Sequence, residues 1–254
     1  MSVVRPKKSL GQHFLKDQNI ARKIVESLDI SGTIDVLEIG PGMGVLTQYL
    51  KNNPQIRLTL IEIDRESIEY LEHHFSKDDT RIITGDFLKL DIAPLFPGHF
   101  EVIGNFPYNI SSQIFFRILE YRHQVTQVVG MIQKEVADRY CAGPGSKTYG
   151  ILSVLLQAYY DIDYLFTVHE NVFVPPPKVK SAVIKLHRNN RENLGCNEEL
   201  FKLVVKAGFN QRRKVLRNSL KPLGYYVPEQ FAGMRAEQLS VDQFIELTRN
   251  LIKL

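Results

Sequence analysis

Ile34-Asp35-Val36-Leu37-Glu38-Ile39-Gly40-Pro41-Gly42-Met43-Gly44 decides the fold, because six residues that read as a buried strand run straight into a glycine turn. Gly32 bounds the strand on its other side, and Val45 to Leu50 then has helical spacing. The pattern repeats along the chain. A second strand from Arg57 to Ile63 carries Glu62 and is followed by Asp64 and a helix over Glu66 to Phe75. A third, Arg81 to Thr84, ends at Gly85-Asp86, and a fourth, Phe100 to Ile103, ends at Gly104-Asn105. A helix over Ser112 to Leu119 follows, with Ser111 as its expected N-cap. Val125 to Ile132 makes a fifth strand, and Lys134 to Cys141 another helix.

Strands alternating with helices predict an α/β protein whose parallel sheet is covered on both faces. In such sheets ligands sit beyond the carboxyl ends of the strands, where strand order reverses. Chemistry is therefore expected at Gly40-Pro41-Gly42, Glu62, Asp86 and Asn105. A dinucleotide fingerprint needs G-x-G-x-x-G, but here glycines stand at 40, 42 and 44 and Val45 follows. Glu38 beside the loop opposes an anionic phosphate and suits a cation. S-adenosylmethionine has no phosphate and carries a sulfonium and an ammonium, so it is the expected cofactor. Glu62 lies 22 residues beyond Gly40, the spacing at which an acid reaches ribose hydroxyls. Asp86 is placed to accept from the adenine amino group of the cofactor. Any one carboxylate at a strand end is more often solvated or caps the next helix; glycine loop, Glu62 and Asp86 in register on three strands favour a site.

Asn105-Phe106-Pro107-Tyr108 follows the fourth strand on the same edge. An adenine exocyclic amine is a poor nucleophile, its lone pair being delocalised into the ring. The Asn105 side-chain oxygen and a backbone carbonyl in the Pro107 region are expected to accept its N–H groups and favour a pyramidal nitrogen. Tyr108 is expected to stack on the base and stabilise developing positive charge. Such a transfer works by positioning and needs no metal. As an isolated tetrapeptide, the same residues are a simple turn.

The rest of the chain bounds the function. Its 254 residues, 44% hydrophobic, suffice for one large domain with a small appendage. No apolar run is long enough for a membrane span, and Cys141 and Cys196 form neither a disulfide framework nor a zinc motif. A soluble, reduced, cytoplasmic protein is expected. The net charge of +4 is unevenly spread: residues 1–23 carry +5, residues 201–221 carry +7 and residues 24–200 carry −7. Two basic segments on an acidic body point to a polyanionic partner, although a basic run is often only a solvated face. Arg5, Lys7 and Lys8 are expected to form a flexible phosphate-binding arm. Ile151 to Tyr160 reads as a helix, Tyr164 to Val168 and Ser181 to His187 as late strands, and Arg188 to Asn197 as a linker. Residues 198–254 read as helices only. The expected division is therefore an S-adenosylmethionine-binding domain over 1–190 and a basic helical domain over 198–254 that suits a polyanion.

The chain resembles the bacterial small-subunit rRNA adenine dimethyltransferases from Lys8 to about Arg249. The resemblance rests on S9LGQHFL15, E38IGPGMG44, I61EID64, G85D86, N105FPYN109, Q133KEVADR139, V174PPPKVKSAV183 and F209NQRRKVLRNSL220. It implies a Rossmann-like class I methyltransferase sheet with a small C-terminal all-helical domain. It also implies that His13, Leu15, Gly40, Glu62, Asp86 and Asn105 contact the cofactor or close its pocket, with His13 standing where the family usually has Asn. The implied reaction is N6,N6-dimethylation of two adjacent adenosines in the 3′-terminal hairpin loop of 16S rRNA within the small ribosomal subunit, with a role in the subunit's biogenesis. A loop substrate has partly unstacked bases that can be splayed into a pocket. Phe173 resembles a family aromatic near the target base; read without the resemblance, it is a core residue. Arg212, Arg213, Lys214 and Arg217 are expected to hold RNA phosphates without reading sequence. A monomer is expected, with neither DNA nor membrane as partner.

Four other readings stand beside this one. A large-subunit rRNA adenine methyltransferase would share the cofactor motifs, but the Phe209 to Leu220 segment favours the small-subunit type. DNA adenine enzymes usually have Pro directly after the Asn, where Phe106 stands. A non-catalytic ribosome-assembly factor would not need the cofactor residues or Asn105, all of which are present. A nicotinamide-dependent dehydrogenase is opposed by Glu38 and Val45.

Overall fold

The structure is a computed structural model that describes residues 4–75 and 80–253, so the expected domain limits at 1 and 254 lie outside the described residues. In chain order the first elements are Phe14–Leu15 (β1), Gln18–Val25 (α1), Ile34–Ile39 (β2), Thr47–Lys51 (α2), Ile56–Glu62 (β3) and Arg65–His74 (α3). Thr80–Thr84 (β4), Phe100–Asn105 (β5), Ser111–Glu120 (α4), Val125–Gln133 (β6), Lys134–Tyr140 (α5) and Ile151–Gln157 (α6) follow. Then come Tyr160–Val168 (β7), Phe173–Val174 (β8), Ser181–Arg188 (β9) and Glu198–Asn210 (α7). The chain closes with Leu216–Ser219 (α8), Tyr225–Tyr226 (β10), Glu229–Ala232 (α9), Val241–Arg249 (α10) and Ile252–Lys253 (β11).

Seven strands form one sheet in the order β4-β3-β2-β5-β6-β9-β7. The first five run parallel in pairs, whereas β9 runs antiparallel to β6. The sheet is therefore mixed rather than purely parallel. Side-chain periodicity does not encode strand direction, and here a short connection after β8 returns the chain alongside β6. The central strands β2, β3 and β5 are apolar runs because both faces are covered: Val36, Leu37, Leu60, Val102 and Ile103 are fully buried. From β2 the chain moves outward to β3 and β4, then crosses back to β5 on the other side of β2. Strand order thus reverses between β2 and β5.

Helix boundaries follow local chemistry. Asp17 caps α1 by accepting from the Asn19 and Ile20 N–H groups, and Asn197 caps α7 through Leu200. Ser111 is not the cap of α4; it is the first helical residue, and Ile110 holds the cap position without a side-chain bond. Helix α6 stops at Gln157, and strand β7 already begins at Tyr160, earlier than its polarity pattern suggests.

The chain divides into two compact units, Met1–Ala137 with Asp163–Arg188, and Asp138–Ile162 with Asn189–Leu254. Residues 138–162 thus group with the C-terminal part, unlike in the sequence-based division. The reason is tertiary: α6 packs on α7 and α10, while Tyr149 meets Phe209 edge-on and Phe209 stacks on Phe244. The C-terminal segment is not purely helical either, since β10 and β11 pair antiparallel.

Candidate active site

At the reversal point β2 lies in parallel register with β5, Glu38 opposite Ile103, so Gly40 and Asn105 leave the sheet side by side. What fixes the loop after β5 is a slot for one ring. Gly104 and Gly130 pair across β5 and β6. A Cβ at Gly104 would lie 2.7 Å from both the Phe106 ring and the Ile39 carbonyl, and one at Gly130 would lie 2.6 Å from the ring. The Phe106 ring fills this space, is 1% exposed and meets Phe115 edge-on. Its N–H donates to the Met131 carbonyl at 3.0 Å, and the Pro107 carbonyl already accepts from Ile110 at 3.2 Å. The turn carrying Pro107 and Tyr108 is therefore anchored at both ends.

Asn105 donates through Nδ2 to the His13 carbonyl at 2.9 Å, which leaves Oδ1 as the group it presents. The His13 ring stacks on Tyr108 with centroids 5.4 Å apart. His13 Nδ1 lies 2.8 Å from the Pro175 carbonyl, an acceptor only, so Nδ1 carries the proton. The Tyr108 hydroxyl is hydrogen-bonded to Ser181 Oγ. Burial pushes the Tyr108 hydroxyl above its ordinary pKa, with the Ser181 bond working the other way. Residues 7–15 thus form a strap: Gly11 turns in a left-handed conformation, β1 pairs with β8, and Lys16 N–H donates to Val172 O at 2.9 Å. Lys7 is not part of a free arm. Its ammonium pairs with Asp64 and, at 3.0 Å, with Glu66. Burial works to raise the Asp64 pKa, but the Lys7 and Ser67 bonds outweigh it and hold that carboxyl below its usual range. Arg5 and Lys8 remain exposed.

Two cavities meet under the strap. The first, about 260 Å³, is lined by His13, Gly40, Glu62, Asp86, Asn105 and Tyr108, among others. The second, about 590 Å³, is lined by Leu15, Glu38, Gly40, Gly42 and Asn105 among others. Phe14 belongs to both walls and lies so close over Gly42 that a Cβ there would be 2.8 Å from its ring. Gly40 and Gly42 have φ of 65° and 56°, the left-handed region that favours glycine.

The acids divide their duties. Glu62 is 4% exposed and accepts from the Gly42 N–H at 3.0 Å, Ile63 at 2.8 Å and Asp64 at 2.9 Å. It clamps the glycine loop while lining the first cavity. Burial raises its pKa, and the three backbone donors oppose the rise. Glu38 is 1% exposed, and burial pushes its carboxyl up to about 8, with the Thr47 hydroxyl bond at 2.7 Å opposing and the nearby Glu62 adding to the rise. Asp86 caps its own turn through the Leu88 N–H at 3.0 Å and also faces the first cavity.

These residues suit a ligand with an adenosine end and a cationic amino-acid end. The first cavity offers Glu62, Asp86 and apolar Ile63, Phe87 and Leu88. The second ends on a buried acid that an ammonium would ionise. Every residue expected at the cofactor or reaction centre lines one of these cavities. Phe173 does not: it is 1% exposed in the apolar core and lines neither. In the C-terminal unit, Arg213, Lys214 and Arg217 are exposed. Arg212 is not simply free for phosphate, since it donates to Ser146 O at 3.1 Å and pairs with Glu237 at 3.6 Å. Sequence reasoning missed Phe14, Ser181 and Ile63. Ile63 carried a signal, an isoleucine next to Glu62, and is 52% exposed here where it faces the cavity.

A sheet of this order, with a glycine turn and acids grouped at its switch point, is that of a class I methyltransferase. The chain matches the family described as ribosomal RNA adenine dimethylase over residues 3–253, and it belongs to that family. It is accordingly an rRNA adenine N6,N6-dimethyltransferase with S-adenosylmethionine as methyl donor. Similar proteins include the ribosomal RNA small subunit methyltransferase A of Parabacteroides distasonis, 62% identical over 98% of this chain and 94% of that one. The protein of the same name from Cytophaga hutchinsonii is 57% identical over 99% of each. A crystal structure of a dimethyladenosine transferase from Plasmodium falciparum superposes with a TM-score of 0.79 at 26% identity, covering 92% of this chain and 96% of that one. The 23S rRNA methyltransferase ErmE shares the fold, with a TM-score of 0.73 at 24% identity over 92% and 97% of the two chains.

Proposed function

We propose that the chain dimethylates the N6 amino groups of two adjacent adenosines in the 3′-terminal hairpin loop of 16S rRNA in the small ribosomal subunit, contributing to the subunit's biogenesis in the cytoplasm. The small-subunit target is supported by the names of relatives at 54–62% identity.

One observation carries the site assignment: Asn105, at the switch point, has its Nδ2 committed to the His13 carbonyl and so presents Oδ1 to the cavities. When bound, S-adenosylmethionine supplies an electrophilic methyl on a sulfonium. Glu62 and Asp86 would hold its adenosine end, Gly40, Leu15 and His13 would wall it, and Glu38 would face its ammonium end. Asn105 Oδ1 accepts one N–H of the target amine. The second acceptor is a backbone carbonyl of the Pro107 turn, sharing its lone pairs with Ile110. The amine lone pair then points along the transfer direction, and Tyr108 stacks on the base to stabilise growing positive charge. No proton needs removing before transfer, because the product ammonium is acidic and loses its proton to water afterwards.

Arg213, Lys214 and Arg217 hold phosphates, with Arg212 mainly bracing its own unit. The test is transfer of labelled methyl from S-adenosylmethionine to naked 16S rRNA and to immature small subunits, by the wild type and Asn105→Ala. Transfer by the wild type alone, mapped to adjacent adenosines of the 3′ hairpin, is expected. Label elsewhere, or retained by Asn105→Ala, contradicts the proposal.

A further inference from the structure

A third cavity, about 410 Å³, opens on the N-terminal unit and is lined by Gly11, His13, Tyr108, Asn109, Gln133 and the Pro177-Lys178-Val179 segment. It shares Gly11, His13, Tyr108 and Asn109 with the first cavity, so the stacked His13 and Tyr108 rings form a common wall. Its size falls in the range of small-molecule sites, about 300–1,000 Å³. Two rings, an apolar Val179 and an exposed Lys178 at the rim suit a nucleotide: a flat base to stack and a phosphate to pair.

Gln133 is the informative residue. It ends β6, the strand next to β5, and its backbone lies in register with Ser181, whose hydroxyl anchors Tyr108. Among the described residues its carboxamide makes no hydrogen bond. A carboxamide beside an aromatic stacking surface is the side chain that pairs with adenine edges.

The geometry points to Gln133 as a specificity-determining residue for the acceptor adenosine: with the base against Tyr108, where this cavity adjoins the first, the Gln133 carboxamide donates an N–H to the adenine N1 beside the reacting amine. This rests on the reaction proposed above. Adenine N1 accepts, whereas guanine N1 carries a proton, so a donor at this position admits one purine and opposes the other. Because Asn105 and the Pro107 turn take the amine N–H groups, the contact to N1 is compatible with both methylation rounds.

The experiment is a cycle of two enzymes and two substrates. Wild type and Gln133→Ala are assayed on the 16S hairpin carrying adenosine or 1-deazaadenosine at the acceptor positions, kcat and KM being measured separately. Removing N1 also alters the amine's nucleophilicity, but equally for both enzymes. The wild type should lose at least tenfold more kcat/KM on the analogue than the variant does, and Gln133→Glu, which cannot donate, should behave as Gln133→Ala. Equal losses in wild type and variant overturn the assignment. Unchanged S-adenosylhomocysteine affinity and thermal melting of Gln133→Ala separate this result from a folding defect. If the wild type methylates neither hairpin, the reaction proposal fails; if it methylates both alike, only the role of Gln133 fails.

Discussion

Glu38 offers a quantitative test of how the second cavity is used. Its carboxyl is buried and pushed up to about 8, so at pH 7 about nine-tenths of it is protonated in the free enzyme. An ammonium brought within about 4–6 Å lowers a carboxyl pKa by roughly 1–3 units, to between about 5 and 7. Binding of S-adenosylhomocysteine at pH 7 should then release between roughly 0.4 and 0.9 proton from this residue. Calorimetry in phosphate and in Tris, whose ionisation enthalpies differ widely, measures that number. The ligand's own amino group also titrates, so the difference between wild type and Glu38→Gln isolates the Glu38 share. The variant should bind about 10–100-fold more weakly, the size of a lost charge-assisted bond of about 1.5–3 kcal/mol. Stability gives a second readout. The folded state keeps the Glu38 proton up to about pH 8, while the unfolded chain loses it near its model value of 4.5. The folded state therefore binds more protons in that window, and stability falls as pH rises from about 4.5 to about 8. Glu38→Gln should flatten much of this slope, with Glu62 and Glu101, both raised by burial, contributing to what remains. Identical proton release by wild type and variant would refute the placement of the ammonium end at Glu38.

Other perturbations probe other parts. Asn105→Ala should lower kcat at least 100-fold while changing S-adenosylhomocysteine affinity less than threefold, read by single-turnover kinetics and calorimetry. Gly130→Ala puts a methyl 2.6 Å from the Phe106 ring; overpacking of this kind costs about 1–3 kcal/mol, and turnover should fall at least tenfold with cofactor affinity retained. Arg213, Lys214 and Arg217 changed together to Ala should reduce the slope of log affinity for RNA against log salt by about 2–3. Arg212→Ala, which loses its bond to Ser146, should instead lower the melting temperature.

The glycine loop, Glu62, Asp86 and Asn105 were legible because each lies at the end of its own strand, where local pattern and spacing speak. What escaped the sequence is nonlocal. The Phe106 slot depends on Gly104 lying opposite Gly130, a pairing that only sheet register creates. The strap depends on the His13 contact with Pro175, 162 residues away, and on Lys7 reaching Asp64. The basic N-terminus read as a free arm because a sequence shows charge but not its partner. Likewise, the regrouping of residues 138–162 follows from packing of α6 on α7 and α10, helices brought together by tertiary structure. Phe173 shows the opposite hazard. The resemblance drew it toward the target base, while its apolarity already suggested the core in which it lies.

In the proposed mechanism Asn105 presents its oxygen to the N6 amine of small-subunit rRNA adenosines. The most direct measurement is to delete the gene and map N6,N6-dimethyladenosine in 16S and 23S rRNA by mass spectrometry, before and after restoring wild type or Asn105→Ala. Deletion should remove two adjacent dimethyladenosines from the 3′ hairpin of 16S rRNA, restored by the wild type and not by the variant. Unchanged 16S dimethyladenosine in the deletion strain, or full restoration by Asn105→Ala, would contradict this mechanism.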